Sequence, residues 1–328
     1  MAARVYALST FLKETFSHKP LLAGDLLDSG EKAVVFGPSE SGKSYWVLQL
    51  GLCLASGESF LGYEVLHKCR VLIIQSELSE RRYQERCAKL AHAFDTDLPL
   101  FVWTVEDLKV DVPENRARLM TVLQEVKPDV LIIDPLRAFF QGNENDSQSV
   151  EHLFNAFAIL QGAVDTPFAI IYAHHVRKTA PGFSREAGKE EARGTGLITD
   201  RPSTAFSLEI NESQTEWKLT AVKTRNRDKH PPPMLMGIDP ETGLFVPTGT
   251  IEKGPDFTFL VDYVGEGRAQ SLVVKWLQET RKISSGHAYR MVEHAVREKA
   301  LYQVSIPGSN RWMLYTEPQE VDNGEEGE

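Results

Sequence analysis

Residues 34–44, VVFGPSESGKS, constrain this chain more than any other stretch. A short apolar run, Ala33-Val34-Val35-Phe36, leads directly into a glycine-rich loop, and residues 45–54 follow with the length and apolar content of a helix. Gly37, Gly42, Lys43 and Ser44 satisfy the spacing G-x-x-x-x-G-K-[ST]. A loop of this kind curls successive backbone N–H groups round phosphate oxygens at the positive end of the next helix. Its lysine reaches the β/γ-phosphates and its serine ligates Mg²⁺. Gly37, Pro38, Ser39, Glu40, Ser41, Gly42, Lys43, Ser44 and Tyr45 are therefore the candidate nucleotide-binding residues, with ATP and Mg²⁺ as the implied cofactors. The bland alternative is a glycine-rich turn with an incidental lysine. The strand before the loop and the helix after it argue against that.

Further apolar runs at residues 70–75, 130–133 and 168–172 read as buried strands, and residues 100–104 as another short strand. Between them lie helical patterns. Ser79 is a candidate N-cap for a helix that puts Tyr83, Cys87, Leu90 and Phe94 on one face. Residues 115–126 form another, and a third carries Val150, Leu153, Phe154, Phe157 and Leu160. Apolar strands alternating with helices predict an α/β fold, with a mostly parallel sheet covered on both faces. Ligands in such sheets sit at the carboxyl ends of strands. The phosphate loop, Glu77, Asp134 and His175 all fall at such ends. Beyond residue 196, residues 205–210 and 215–222 resemble antiparallel strands, and Pro231-Pro232-Pro233 with the turn at 239–243 reads as the edge of the core. At the other end, Gly24 and Gly30 mark turns, and the first residues read as a weak amphipathic helix that packs on the core.

A formal net charge of -10 over 328 residues excludes a protein that coats nucleic acid by bulk charge, while leaving local loops or a lined channel available. Three cysteines, Cys53, Cys69 and Cys87, are an odd count without metal spacing, as expected for reduced thiols in a cytoplasmic protein. Cys53 and Cys87 lie in apolar helical stretches and read as packing. No run approaches a membrane span, and the N-terminus lacks the charges and apolar block of a signal peptide, so no membrane partner is expected.

Three strand-end residues carry the chemistry. Asp134, after four apolar residues, suits the shell of a metal ion; otherwise it is a turn residue before Pro135. Glu77 can orient and deprotonate an attacking water; otherwise it is a first-turn glutamate favoured by the helix dipole. His175, or its neighbour His174, can touch a γ-phosphate and sense its loss; otherwise it is structural.

Six segments in order, GPSESGKS, VLIIQSELSE, VLIIDPLRAFF, AIIYAHHVRK, EARGTG and AVKTRNR, spread over about residues 20–250, resemble the RecA-like P-loop ATPases, and within them the RepA-type hexameric replicative helicases of plasmids and phages. The resemblance implies a RecA fold with ATP bound between the subunits of a homo-oligomeric ring, a hexamer. It makes Glu77 the catalytic glutamate, Asp134 the Mg²⁺-linked aspartate beside Ser44, and His175 the strand-end sensor. It also matches Arg193 to the family's R-G arginine, and Lys223 and Arg225 to a basic pair inserted into the neighbouring subunit's site. A cation supplied in trans stabilises the transferring phosphoryl group only when the interface is closed. The alternative for that pair is a solvated hairpin tip.

Residues 251–256 read as a linker. After it, helices at 271–280 and from 284 through Tyr289, Val292, Ala295 and Val296, then a hairpin closing with 311–315, outline a winged helix. The expected division is a lead-in at 1–30, a RecA-like ATPase core at 31–250, the linker, a winged-helix-like domain at 257–316, and an acidic disordered tail at 317–328. DNA is the expected partner: single strands through loops at 137–149 and 178–193, duplex through Arg281, Lys282, His287, Arg290, Arg297, Lys299 and Arg311 of the winged helix. Three readings follow: a replicative helicase or helicase-like motor, a RecA-type recombination or repair ATPase forming DNA-dependent filaments, and an ATP-switched winged-helix regulator.

Overall fold

The central strands read as unbroken apolar runs because they are buried on both faces. In chain order the elements of the first part are α1 (Leu8–Phe11), β1 (Pro20–Leu22), β2 (Leu27–Asp28), β3 (Lys32–Gly37), α2 (Lys43–Ser56), β4 (Val71–Gln75), α3 (Glu80–Ala91), β5 (Leu100–Thr104) and α4 (Pro113–Val126). They continue with β6 (Val130–Asp134), a 3₁₀ turn (Leu136–Phe139), α5 (Ser147–Gly162), β7 (Ala169–His175), α6 (Leu197–Asp200), β8 (Thr204–Ile210), β9 (Trp217–Thr224), β10 (Met234–Ile238) and β11 (Phe245–Thr250). The last part holds α7 (Thr258–Val264), β12 (Arg268–Ala269), α8 (Gln270–Arg281), α9 (Ser285–Arg297), β13 (Tyr302–Ser305) and β14 (Trp312–Tyr315). The computed structural model describes residues 5–14, 19–94, 97–176, 196–211, 213–250, 258–281, 284–297, 299–306, 309 and 311–318. The chain divides into two compact units, Met1–Ile251 and Glu252–Glu328.

The first unit is built on one sheet of nine strands in the order β11-β10-β9-β8-β3-β7-β6-β4-β5. From β8 across to β5 every pairing is parallel. From β8 to β11 the pairings are antiparallel. Strand alternation splits the core in two. Val35, Ile73, Ile132 and Ile171 face one cluster with α2 and α3, while Val34, Leu72, Leu131 and Ile170 face the other with α4 and α5. Helix α2 is buried along almost its whole length, and it ends where Gly57 adopts a left-handed φ of 84°. Register brings Gly37 opposite His175 and Gln75 opposite Asp134, so the polar strand ends share one edge of the sheet.

Strands β3 to β9, helices α2 to α4, α8 and α9, the β13–β14 hairpin and the turns at Gly24 (φ 76°) and Gly30 (φ 85°) fall where the pattern predicts them, whereas β1, β2, α6, α7 and β12 have no counterpart in it. The thiols behave as packing groups: burial pushes Cys53 and Cys69 up to about 12 and Cys87 to about 11. Three features differ. The expected N-terminal helix packing on the core is only the four residues of α1, which bury no side chain; Leu8 is 72% and Leu12 74% exposed. One turn cannot repay helix nucleation without a face to bury. Second, the sheet does not stop at the prolines. They precede β10, the turn at 239–243 joins it to β11, and Pro247 is tolerated because β11 is the edge strand. Third, α5 begins at Ser147, inside the loop expected at 137–149, where the Asp146 carboxylate accepts from the Ser149 N–H at 2.8 Å.

The second unit packs α7, α8 and α9 with a three-stranded antiparallel sheet in the order β12-β14-β13. Leu260, Val273, Leu277, Val292 and Leu314 centre its own core. Among the described residues, no helix is long and apolar enough to cross a membrane.

Candidate functional site

The phosphate loop follows the end of β3 without slack. A Cβ on Gly37 would lie 2.2 Å from the Leu208 carbonyl oxygen of β8, so only glycine lets the two backbones approach this closely. Gly42 takes a left-handed φ of 87° as the residue before α2. Glu40 also sits at positive φ, 66°, a conformation that costs a non-glycine residue about 1–2 kcal/mol and is common where a loop is shaped for function. Lys43 crosses the loop and donates to the Pro38 carbonyl at 2.5 Å and to Ser41 Oγ at 3.3 Å. Burial lowers its pKa to about 8, against the opposing pull of Asp134 and Glu77, so the amine remains mostly cationic at neutral pH.

Beside it, the Ser44 hydroxyl donates to the Asp134 carboxylate at the tip of β6. Asp134 is buried, and burial raises its pKa to about 6, partly countered by that hydrogen bond. An aspartate and a hydroxyl side by side are an all-oxygen donor set at the phosphate loop. Among the described residues the buried carboxylate has no salt-bridge partner, and its hydrogen bond comes from Ser44, so the pair fits Mg²⁺ held jointly with substrate phosphates.

Glu77 is set by its neighbours. The Gln75 amide, buried at the end of β4, donates to the Leu78 carbonyl and to Thr104 Oγ1, both at 2.8 Å, and accepts from the Leu78 N–H at 3.0 Å. This closes the turn that presents Glu77. The Glu77 carboxylate meets His175 Nε2 at 3.3 Å, and that bond, ahead of the opposing effect of burial, holds its pKa below the usual range. Strand alternation separates the two histidines. His175 lines the cleft, whereas His174 is buried and kept neutral, its pKa lowered to about 4 by burial. Of the two histidines, His175 is the one that faces the cleft, and its observed partner is Glu77.

Lys43, Ser44, Glu77 and His175 line a cleft of about 890 Å³ with Ser39, Glu40, Tyr45, Arg86, Lys89, Trp217, Ile238, Gly243 and Phe245. The Arg86 guanidinium lies 4.8 Å from the Tyr45 ring centroid. Arg86 and Lys89 come from α3, Trp217 from β9, and Ile238, Gly243 and Phe245 from the β10–β11 hairpin, so, whereas Ser39, Glu40 and Tyr45 are predicted from the sequence, this part of the wall is not. Nothing local marks those residues; the signal is the sheet extension that the prolines concealed.

Lys223 and Arg225 lie elsewhere. Both donate to the Asp200 carbonyl at the end of α6, Arg225 at 2.7 Å, and neither lines the cleft of its own chain. Helix α6 is itself held by the buried Tyr172 hydroxyl, which donates to the Ile198 carbonyl at 2.7 Å. Arg193 and the loop at 178–193 lie outside the described residues, as do the linker and almost all of the acidic tail.

The AAA domain family matches residues 4–181, which hold the phosphate loop, Glu77, Asp134 and His175. Among solved structures the chain is similar to an isolated ATPase domain, at 12% identity over 66% of this chain and 84% of that one, with a TM-score of 0.51. It is also similar to a DnaB-like replicative helicase described with its interactions with primase, at 12% identity and a TM-score of 0.50, over 66% of this chain and 57% of that one. At such identity the likeness is one of fold. No curated protein matches the chain.

Proposed function

The chain belongs to the AAA domain family; from that premise we propose that it is a RecA-like P-loop ATPase close to the replicative helicases, a Mg²⁺-dependent ATP hydrolase that assembles into a ring and acts on DNA as a helicase-like motor. One observation carries the hydrolytic reading: Lys43, Ser44, Asp134 and the His175-held Glu77 converge at the carboxyl edge of one sheet. The loop N–H groups and Lys43 bind the phosphates. Ser44 and Asp134 would hold Mg²⁺, which when bound neutralises charge between the β- and γ-phosphates. Glu77, ionised at neutral pH, orients the attacking water and takes its proton, and His175 keeps that carboxylate aimed. Tyr45, Arg86 and Phe245 offer apolar and cationic faces for a base.

The assembly reading is supported by Lys223 and Arg225. The family resemblance gives them a site to serve, and it is not the cleft of their own chain. The second unit we read as winged-helix-like, with three helices, a small sheet and Tyr289, Arg290 and Trp312 exposed for contact with duplex DNA. Residues 137–149 are the described candidates for single-strand contact. The deciding measurement is ATP turnover, with and without single-stranded DNA. Lys43→Ala should lower it to below about one per cent, the scale expected when a principal phosphate contact is removed. A variant that keeps turnover would remove the basis of this function.

A further inference from the structure

The cleft has a support that the phosphate-loop motif does not contain. The Trp217 indole N–H, from the start of β9, donates to the Ser41 carbonyl inside the loop at 3.1 Å. Its ring packs edge-on against Phe245 of β11, centroids 5.3 Å apart. The two rings leave no room above the loop: a Cβ on Gly42 would lie 3.0 Å from Phe245 Cζ and 3.2 Å from Trp217 Nε1. Behind them, Gln49 is a buried polar side chain in an otherwise apolar stretch of α2. Its amide donates to the Phe245 carbonyl at 2.9 Å and accepts from the Phe245 N–H at 2.7 Å, as a neighbouring strand would. The antiparallel extension is thus tied at two points to the loop and its helix.

A trans peptide puts C=O and N–H on opposite sides. With the Ser41 carbonyl held by Trp217, the N–H of Gly42 must face away from the indole. We propose that Trp217 is a positioning residue for phosphate binding, its indole N–H setting the Ser41–Gly42 peptide so that the Gly42 N–H is presented to the nucleotide's phosphates, with Gln49 fixing the strand that backs it. This rests on the nucleotide-binding reading of the cleft. Without the indole bond the peptide is free to rotate, and the loop loses one preset donor. That donor serves substrate and product alike, so its loss weakens binding without slowing the chemical step.

The experiment uses the full chain, with ADP affinity from calorimetry and ATP turnover. Trp217→Phe removes the N–H and keeps an aromatic ring. A second variant carries a benzothienyl side chain at position 217, which keeps the indole's shape with sulfur in place of N–H. It decides the matter should the phenylalanine variant fail to fold. The expected result for both is an ADP Kd and an ATP KM raised about tenfold with kcat within about twofold of the parent, the scale of one hydrogen bond. A role in stability alone would lower the melting temperature and leave KM and ADP Kd unchanged, and that outcome overturns the proposal. So does a fall in kcat at constant KM. Lys43→Ala measured alongside separates the two readings: turnover surviving there removes the ATPase itself, whereas unchanged affinity in the 217 variants with a dead Lys43→Ala removes only this inference.

Discussion

Asp134 sits where stability and function oppose each other. Its folded pKa of about 6 lies above the ordinary aspartate value, so the folded state holds a proton that the unfolded chain has already lost. Its contribution to stability therefore falls as pH rises from about 4 to about 6 and stays low above that. The ionised form costs on the order of 1–3 kcal/mol at neutral pH. Asp134→Asn should raise the melting temperature of nucleotide-free protein at pH 7.5 by a few degrees, lose that pH dependence and abolish turnover. Calorimetric scans at pH 4 and pH 7.5 check it; a lower melting temperature for the variant at pH 7.5 would contradict the account. His174 has the opposite sign. Its folded pKa, about 4, is depressed, so its contribution is lost as pH falls from about 6.5 towards 4. The two groups partly cancel in the parent, which is why the comparison must be made between variants.

At the scale of elements, the close approach of β3 and β8 sets the loop's position. Gly37 permits that approach; the atom nearest an added Cβ is the Leu208 backbone carbonyl oxygen at 2.2 Å, which cannot rotate aside as the Ser41 hydroxyl at 3.0 Å could. Gly37→Ala must push two paired strands apart. It should cost about 3 kcal/mol or more in urea unfolding, beyond the usual penalty of an added methyl. A loss under about 0.5 kcal/mol would mean that the strand spacing is not what holds the loop. The helix that follows depends on packing more than on local signals: α2 has no side-chain N-cap and no acidic first turn, and its apolar residues share one core with the central sheet and with Leu21, Leu22, Leu26 and Leu27 of the antiparallel β1–β2 hairpin.

For the whole molecule, the test is whether one subunit's Lys223 and Arg225 complete another's site. In the chain described here Arg225 spends its guanidinium on the Asp200 carbonyl. Arg225→Ala and Glu77→Gln should each lack turnover alone. Mixed, they should recover a substantial fraction of parental activity, because some interfaces then pair an intact Glu77 with an intact Arg225. No recovery at any mixing ratio, with both variants shown by light scattering to assemble, would leave Arg225 without a role in trans.

The linear chain was sufficient for the parts of this protein that depend on local chemistry. The loop at 37–44 is read from spacing, because a backbone cradle needs glycine, lysine and serine at set intervals. The buried strands are read from apolar runs, because two-sided burial tolerates nothing else. Glu77, Asp134 and His175 were legible because strand ends are where a parallel sheet presents polar groups. The choice between His174 and His175 was not, although alternation over one residue settles it once β7 is placed. Arg86, Lys89, Trp217, Gln49 and Phe245 were not legible either. Trp217 and Phe245 lie more than 170 residues beyond the loop they brace, and a contact across that separation leaves no periodicity, spacing or composition behind. It exists only because β9, β10 and β11 continue the sheet past two apparent breaks and fold the far end of the unit back over the phosphate loop.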